Sequence, residues 1–541
     1  MVAALWHWID RTILDLGRQV RLSYLPPLMV YLAAGISSLT GIVGTFFVKD
    51  YLGLSAEFLA ALGFWAGIPW VLKMPIGHIV DLIWRWKALL VFLGAGLITA
   101  SLAIMIGLLA RPDLMAQFAP VAAWYVASTL LAPVGYVIQD VVADAMTVEA
   151  VPRVDPYGRP IDKATERLMH TTMQTLGRVA IIGGGVLVAL ANVLMFRNAE
   201  ALPEADKVAI YVEIYLMALT IPVVSVLGVA LASWIKRRDR RRLRQQGYQP
   251  AQVRAMLEVQ DEPPAPNAWI LGGGLAFVLF TLTVGLTEVP YNQEITFLGS
   301  LGIVVFLMTR LVRALDPEDR RVLVGTALVI FVFRALPGPG AGATWWMIDE
   351  LEFDQQFLSE LSLIGSVLTL FGMFIFRRFM AERSIAYVVG FLTIASTVLS
   401  LPILGMYYGL HQWSAVHTGG LVDARFIAVI DTALESPLGQ IAMIPMLAWI
   451  ARTAPSDLKA TFFAVMASFT NLALSLSQLG TKYLNALFLV SREVRDPATG
   501  VVSVPADYSA LGVLLMTVTV VGLLLPLLAI LFVKTTRFRS A

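Results

Sequence analysis

Residues 132–152 read APVGYVIQDVVADAMTVEAVP, and they lie in an apolar run near 118–147 that also holds Asp140 and Asp144. Crossing hydrocarbon takes roughly 20 apolar residues, so the run is long enough to span a bilayer. A charge at the centre of such a span costs roughly 2.5–3.5 kcal/mol and usually marks a route for ions or solute. Asp140 and Asp144 are one helical turn apart, so both carboxylates project from one face. Two carboxylates gathered in low dielectric favour sharing a proton, as a proton-coupling site requires. The alternative is that they sit near the cytoplasmic end and pair with basic loop residues, which applies most to Glu149, close to Arg153.

The rest of the chain repeats this character. Of 541 residues, 58% are hydrophobic and 14% charged, against about 25% charged in soluble domains. There is no cysteine, which excludes disulfides, thiolate metal sites and a cysteine nucleophile. Five scattered His residues have no metal-ligand spacing, and no catalytic constellation appears, so neither an enzyme nor a metal or cofactor is expected. About fourteen spans are expected, near 26–48, 56–80, 88–109, 118–147, 169–194, 209–235, 268–287, 294–314, 322–346, 357–379, 384–409, 424–450, 458–488 and 509–533. With the N-terminus inside, the inside segments collect most of the 40 Lys and Arg, as the positive-inside rule requires. Both termini are therefore expected in the cytoplasm. Residues 1–24 read as an amphipathic surface segment and Lys236–Arg244 as a basic anchor touching acidic lipid. Nucleic acid is not expected as a partner.

An internal repeat divides the chain. Leu52, Leu54, Phe58, Leu59 and Leu62 recur as Leu351, Phe353, Phe357, Leu358 and Leu361. Pro133 and Gly135 recur as Pro437 and Gly439, and Gln174 and Arg178 as Gln478 and Lys482. The expected organisation is a first six-helix half (25–235), a basic loop and linker (236–267), an inserted helix pair (268–316) and a second half (317–541). Such repeats typify secondary transporters, which bind solute between the halves near the midplane.

The repeat places the other charges. Arg178 and Lys482 should face each other across the pseudo-twofold axis and suit an anionic solute, or else neutralise Asp144, Asp431 or Glu435. Asp431 and Glu435 repeat the one-turn spacing of Asp140 and Asp144. Lys73 lies inside the second span. Arg334 precedes Pro337-Gly338-Pro339-Gly340, a run that breaks a helix and should face the cavity. Trp345 and Trp346 follow as stacking platforms or as interfacial anchors, and Tyr136 is a further stacking candidate. Gly77-His-Ile-Val-Asp81-Leu-Ile-Trp-Arg85-Trp-Lys87 resembles the loop signature of the major facilitator superfamily, where it latches the inward gate. Otherwise it is an ordinary positive-inside loop.

Residues 46–81, 132–152, 346–372 and 435–472 together resemble the folate–biopterin transporter family of that superfamily. The second stretch matches the family's D-x-x-x-D-A-x-x-x-E pattern through Asp140, Asp144 and Glu149. The resemblance implies an all-α polytopic membrane protein of the major facilitator fold and proton-coupled uptake of folates or pterins. It maps family pattern residues onto Asp81, Asp140, Asp144, Glu149 and Arg178. Where many members read W-Q-A-T-P, this chain reads Phe333-Arg334-Ala335-Leu336-Pro337, an added cation. A weaker resemblance, around the fourth span, is to muropeptide permeases. The expectation is thus an alternating-access carrier of a small anionic solute, monomeric, in a cell membrane of bacterial inner-membrane type. Substrate contacts would come from Arg178, Arg334, Lys482, Tyr136, Trp345, Trp346, Lys73, Gln174 and Gln478. Protons would be carried by Asp140, Asp144, Asp431 and Glu435, and gating would fall to Gly77, Asp81, Arg85 and Lys87. The rival readings are a muropeptide, organic-anion or drug carrier, and a non-transporting assembly factor for pigment–protein complexes.

Overall fold

A computed structural model describes residues 10, 15–52, 54–155, 157, 159–197, 199, 202–257, 266–287, 289–313, 316–376, 379, 383–439, 459–495, 502–536 and 538–540. Most of the amphipathic segment, part of the linker and the latter part of the span near 424–450 lie outside the described residues. Among the described residues, eleven helices are long and apolar enough to cross a membrane. They are α1 (Leu22–Asp50), α2 (Ala56–Leu82), α3 (Trp84–Ala110), α4 (Val121–Ala150), α5 (Leu168–Met195), α6 (Asp206–Gln245), α7 (Ala268–Leu286), α8 (Asn292–Arg310), α11 (Gln355–Ile375), α12 (Ile385–Tyr407) and α15 (Leu511–Thr535).

The other three expected spans take different forms. The span near 322–346 is broken into α9 (Pro317–Arg334) and α10 (Ala341–Asp349). The Pro-Gly run between them supplies no continuous donor ladder. Gly340 adopts φ 76° and ψ −171°, a region essentially restricted to glycine. The span near 424–450 begins as α13 (Ala424–Glu435) and tightens into a 3-10 turn over Ser436–Leu438. The span near 458–488 is α14 (Lys459–Leu487). The segment from Lys236 to Arg244 is no loop: α6 continues helically through it. Asp239 offsets part of the repulsion there, 3.3 Å from Arg238 and 3.7 Å from Arg242. One short antiparallel pair, β1 (Val494–Arg495) with β2 (Val502–Val504), lies outside the all-α expectation.

The repeat is visible in capping and in packing. Ser55 caps α2 by accepting from the Phe58 N–H, and Asp354 caps α11 by accepting from the Phe357 N–H. These are repeat-related positions, and each cap contributes about 1 kcal/mol to its helix start. In the first six helices α1 packs on α5 and α6, α2 on α4, and α3 on α4 and α6. In the later six α9 packs on α14 and α15, α11 on α13, and α12 on α13 and α15. The two sets meet through α5 against α11 and α2 against α14, contacts that a twofold would exchange. Without a hydrophobic drive between helices in lipid, such seams rely on close packing and hydrogen bonds. The pair α7–α8 lies over the α2–α14 seam: α7 touches α2, α8 touches α14, and all four share one apolar cluster around Phe64, Phe277, Phe297 and Leu472.

Candidate functional site

Three helices of the first half bring four polar groups together. α2 passes from a 3-10 turn over Ile68–Leu72 into regular helix at Lys73, which aims the lysine at α4. Its ammonium lies 2.6 Å from Asp140 Oδ2 and 2.8 Å from Asp144 Oδ2. On the other side the Tyr31 hydroxyl, from α1, donates to Asp144 Oδ1 at 2.6 Å. Tyr31 is buried at 6% exposure, whereas the Asp144 side chain keeps 47%. One carboxylate is therefore enclosed in the cluster and the other remains approachable. The two carboxylates do share a site, and Lys73 is their counter-ion rather than a free substrate contact.

Arg178 joins this cluster to the second half. From α5 its field acts on Tyr31 and Asp140, and also on Arg334 of α9. Arg334 closes the last turn of α9, just before the break, and its Nε is buried with no hydrogen-bond partner among the described residues. Two guanidiniums from opposite halves thus face one another's field. Gln174, one turn before Arg178, donates to Thr147 at 3.3 Å. In α13, Asp431 is 6% exposed, has an Oδ1 with no partner among the described residues, and feels the charge of Glu435 one turn away.

Several expected site residues are placed elsewhere. Lys482 does not face Arg178; it lies 3.5 Å from Glu294 of α8, and Tyr483 donates to the same carboxylate oxygen. The acid that neutralises Lys482 therefore comes from the inserted pair. Gln478 is packed into the α2–α14 seam, where any Cβ on Gly63 would come within 2.8 Å of its Oε1. Trp345 and Trp346 present no open ring face to a solute. They are 2% and 5% exposed, with the Arg492 guanidinium 4.6 Å from the Trp345 ring centre and Tyr407 5.7 Å from Trp346. Tyr136 is half-buried and hydrogen-bonded to Ser37.

The loop signature is tied to α4 and α6. Lys87 is 6% exposed and lies 2.6 Å from Glu149 Oε1, and Lys236 reaches Oε2 of the same carboxylate at 3.0 Å. Glu149 therefore pairs with these lysines rather than with Arg153. Lys87 also sits 3.9 Å from the Trp84 ring centre. Asp81 lies within the fields of His78 and Lys87, Arg85 is exposed, and Gly77 packs near Val141.

At the opposite face a second set of charges joins the halves, and sequence reading missed its role. Arg492 is 3% exposed. It donates to the carbonyls of Val48 at 2.6 Å, Leu54 at 2.9 Å and Lys49, all at the α1–α2 junction. Lys49 in turn lies 2.6 Å from Asp349 of α10, whose carboxylate also accepts from Tyr508. Burial and the Asp349 carboxylate push the Tyr508 phenol well above its ordinary value, so it stays a donor. Burial pulls the Arg492 guanidinium below its ordinary value, yet arginine remains charged in proteins. The available signal was that Lys49 and Arg492 are cations on the face where the positive-inside pattern disfavours them.

The architecture matches solved transporters. A POT family transporter in complex with a thioalcohol-conjugated peptide superposes with TM-score 0.58 at 12% identity, covering 97% of each chain. A mutant of the nucleoside transporter NupG gives 0.52 at 12% identity, covering 94% of this chain and 99% of that chain. The protein has the multi-pass membrane architecture of the major facilitator fold. The BT1 family model matches residues 34–538, so the chain belongs to the BT1 family. A folate-biopterin transporter of Synechocystis sp. is 24% identical over 465 residues, 85% of this chain and 74% of the relative. A putative folate transporter 2 of Plasmodium berghei is 26% identical over 184 residues, 33% of this chain and 37% of the relative.

Proposed function

We propose that this protein is a secondary active transporter that moves a small anionic organic solute of the folate or pterin class, coupled to protons, by alternating access. The observation that carries the reading is the buried Arg334 Nε, unpartnered among the described residues, with Arg178 of the other half near enough for its charge to act on Arg334. Like charges that act on one another repel, and a carboxylate bound at the unpartnered Arg334 Nε within reach of Arg178's charge would relieve that cost. An arginine pair also offers the planar, bidentate geometry that carboxylates fit. Because one arginine comes from each half, an anion there ties its own binding to the relative position of the halves.

The proton would be exchanged at Asp144, the approachable carboxylate of the Lys73 cluster, with Asp140 held by Lys73. When Asp144 takes a proton, one negative charge leaves the neighbourhood of Lys73 and Arg178 and anion binding strengthens. Asp431 and Glu435 supply a second acidic pair in the other half. The homologues named for folate and biopterin support the solute class, and the Synechocystis relative supports a bacterial membrane setting.

Proteoliposomes test this directly. Folate or a reduced pterin should accumulate under an imposed proton gradient, and Arg334→Ala or Arg178→Ala should lose uptake while remaining folded. Uptake that is unchanged by collapsing the gradient would remove proton coupling. Full uptake in both arginine variants would remove the anion site. Uptake of muropeptide fragments but of no pterin would replace the solute class.

A further inference from the structure

Away from the seam between the halves, the basic face holds a cavity of about 760 Å³ between the ends of α3, α4 and α6. Its chemistry is divided. Val142, Met146, Val229 and Ala232 form an apolar floor, and Lys87, Lys236, Arg240, Arg244 and Arg254 supply cations around it. Glu149 is the one carboxylate among the described lining residues. Two structural devices assemble the cations. Lys236, Arg240 and Arg244 recur every four residues on α6, so they fall along one helix face. Beyond α6 the chain reverses at Gly247, whose φ of 92° is left-handed. A short helix, Pro250–Leu257, then folds back with Val253 buried, carrying Arg254 onto the cavity.

The surroundings indicate what would enter. On α3, Leu89 and Phe92 lie one turn beyond the lining residues Arg85 and Ala88, and with Leu93 they are 48–58% exposed. This apolar strip lies on a membrane-spanning helix, where it meets acyl chains. A cationic recess opening onto an acyl-chain surface matches a ligand with an anionic phosphate head and an apolar tail. We propose that this recess binds the phosphate headgroup of an anionic phospholipid from the leaflet at the basic face. A lipid there would contact Lys87 and Lys236, the partners of Glu149, and so would touch the loop signature between α2 and α3. Free phosphate shares the head chemistry but gains nothing from the floor and strip.

The test uses the purified full chain in neutral detergent, read by thermal unfolding and by native mass spectrometry. Short-chain phosphatidylglycerol should raise the unfolding midpoint by several degrees and persist as a single adduct. Phosphatidylcholine of the same chain length and inorganic phosphate should do neither. The triple variant Arg240→Gln/Arg244→Gln/Arg254→Gln should lose both the shift and the adduct. Arg237→Gln/Arg241→Gln, which removes cations of the same helix outside the cavity lining, should keep both. Equal effects of phosphatidylcholine, a full effect of inorganic phosphate, or retention of the shift by the triple variant would each overturn the proposal. So would an equal loss in the Arg237/Arg241 variant, because general charge would then account for binding.

Discussion

Removing the Arg492 side chain should open the face opposite the basic loops. Arg492 donates to three backbone carbonyls of the α1–α2 junction from the α14–α15 connection, so its bonds span the two halves. Hydrogen bonds to charged groups contribute about 1.5–3 kcal/mol each. Three at the low end give about 4.5 kcal/mol, and the Trp345 contact adds about 0.5–1 kcal/mol. Water reaching the freed carbonyls recovers part of this, leaving about 3 kcal/mol, or roughly 100-fold in the closed-to-open ratio of that face. The assay exploits the absence of native cysteine. Ala56 is 3% exposed and packs with Trp345, Val490 and Tyr508 under the latch. A single Ala56→Cys substitution should react slowly with a membrane-impermeant maleimide. Adding Arg492→Ala should speed labelling by one to two orders of magnitude, and Arg492→Lys should fall between, since one ammonium cannot serve three carbonyls in a fixed fork. Unchanged labelling in Arg492→Ala, with the variant still folded, would refute the latch.

Other consequences follow from the same contacts. Lys73→Met leaves Asp140 and Asp144 without their cation and should lower stability by about 3–5 kcal/mol; adding Asp140→Asn should restore much of the unfolding midpoint in detergent. Tyr31→Phe removes the hydroxyl bonded to Asp144 and should cut proton-driven uptake while leaving the unfolding midpoint within a few degrees. Glu294→Gln should release Lys482 and lower the midpoint, and a double-mutant cycle with Lys482→Gln should give a coupling energy of about 0.5–3 kcal/mol. Gly340→Ala forces a glycine-only conformation and drives a Cβ to 2.6 Å from Asn485 Nδ2, so it should cost about 1–3 kcal/mol, read as reduced yield of folded protein.

The fold was legible because bilayer length, loop charge and the repeat are all one-dimensional patterns. Spacing also placed Asp140 and Asp144 on one face, because a helix converts spacing into direction. What a helix cannot announce is which neighbour a charged side chain will meet. Repeat logic sent Lys482 toward Arg178, as it would in two bare six-helix halves. The inserted pair changes the surroundings of one member only: α8 packs on α14 and brings Glu294 to Lys482, and α5 meets no equivalent added helix among the described contacts. Arg178 instead shares its field with Arg334. The symmetry of the sequence is therefore broken by the segment that interrupts it, and the proposed anion site rests on an arginine at the helix break rather than on the repeat-related pair. This makes Lys482 a residue of the insert's docking surface. On that argument Lys482→Gln should lower stability in step with Glu294→Gln yet spare the affinity for solute, whereas Arg334→Gln should weaken affinity with little loss of stability. The opposite division would return Lys482 to the site.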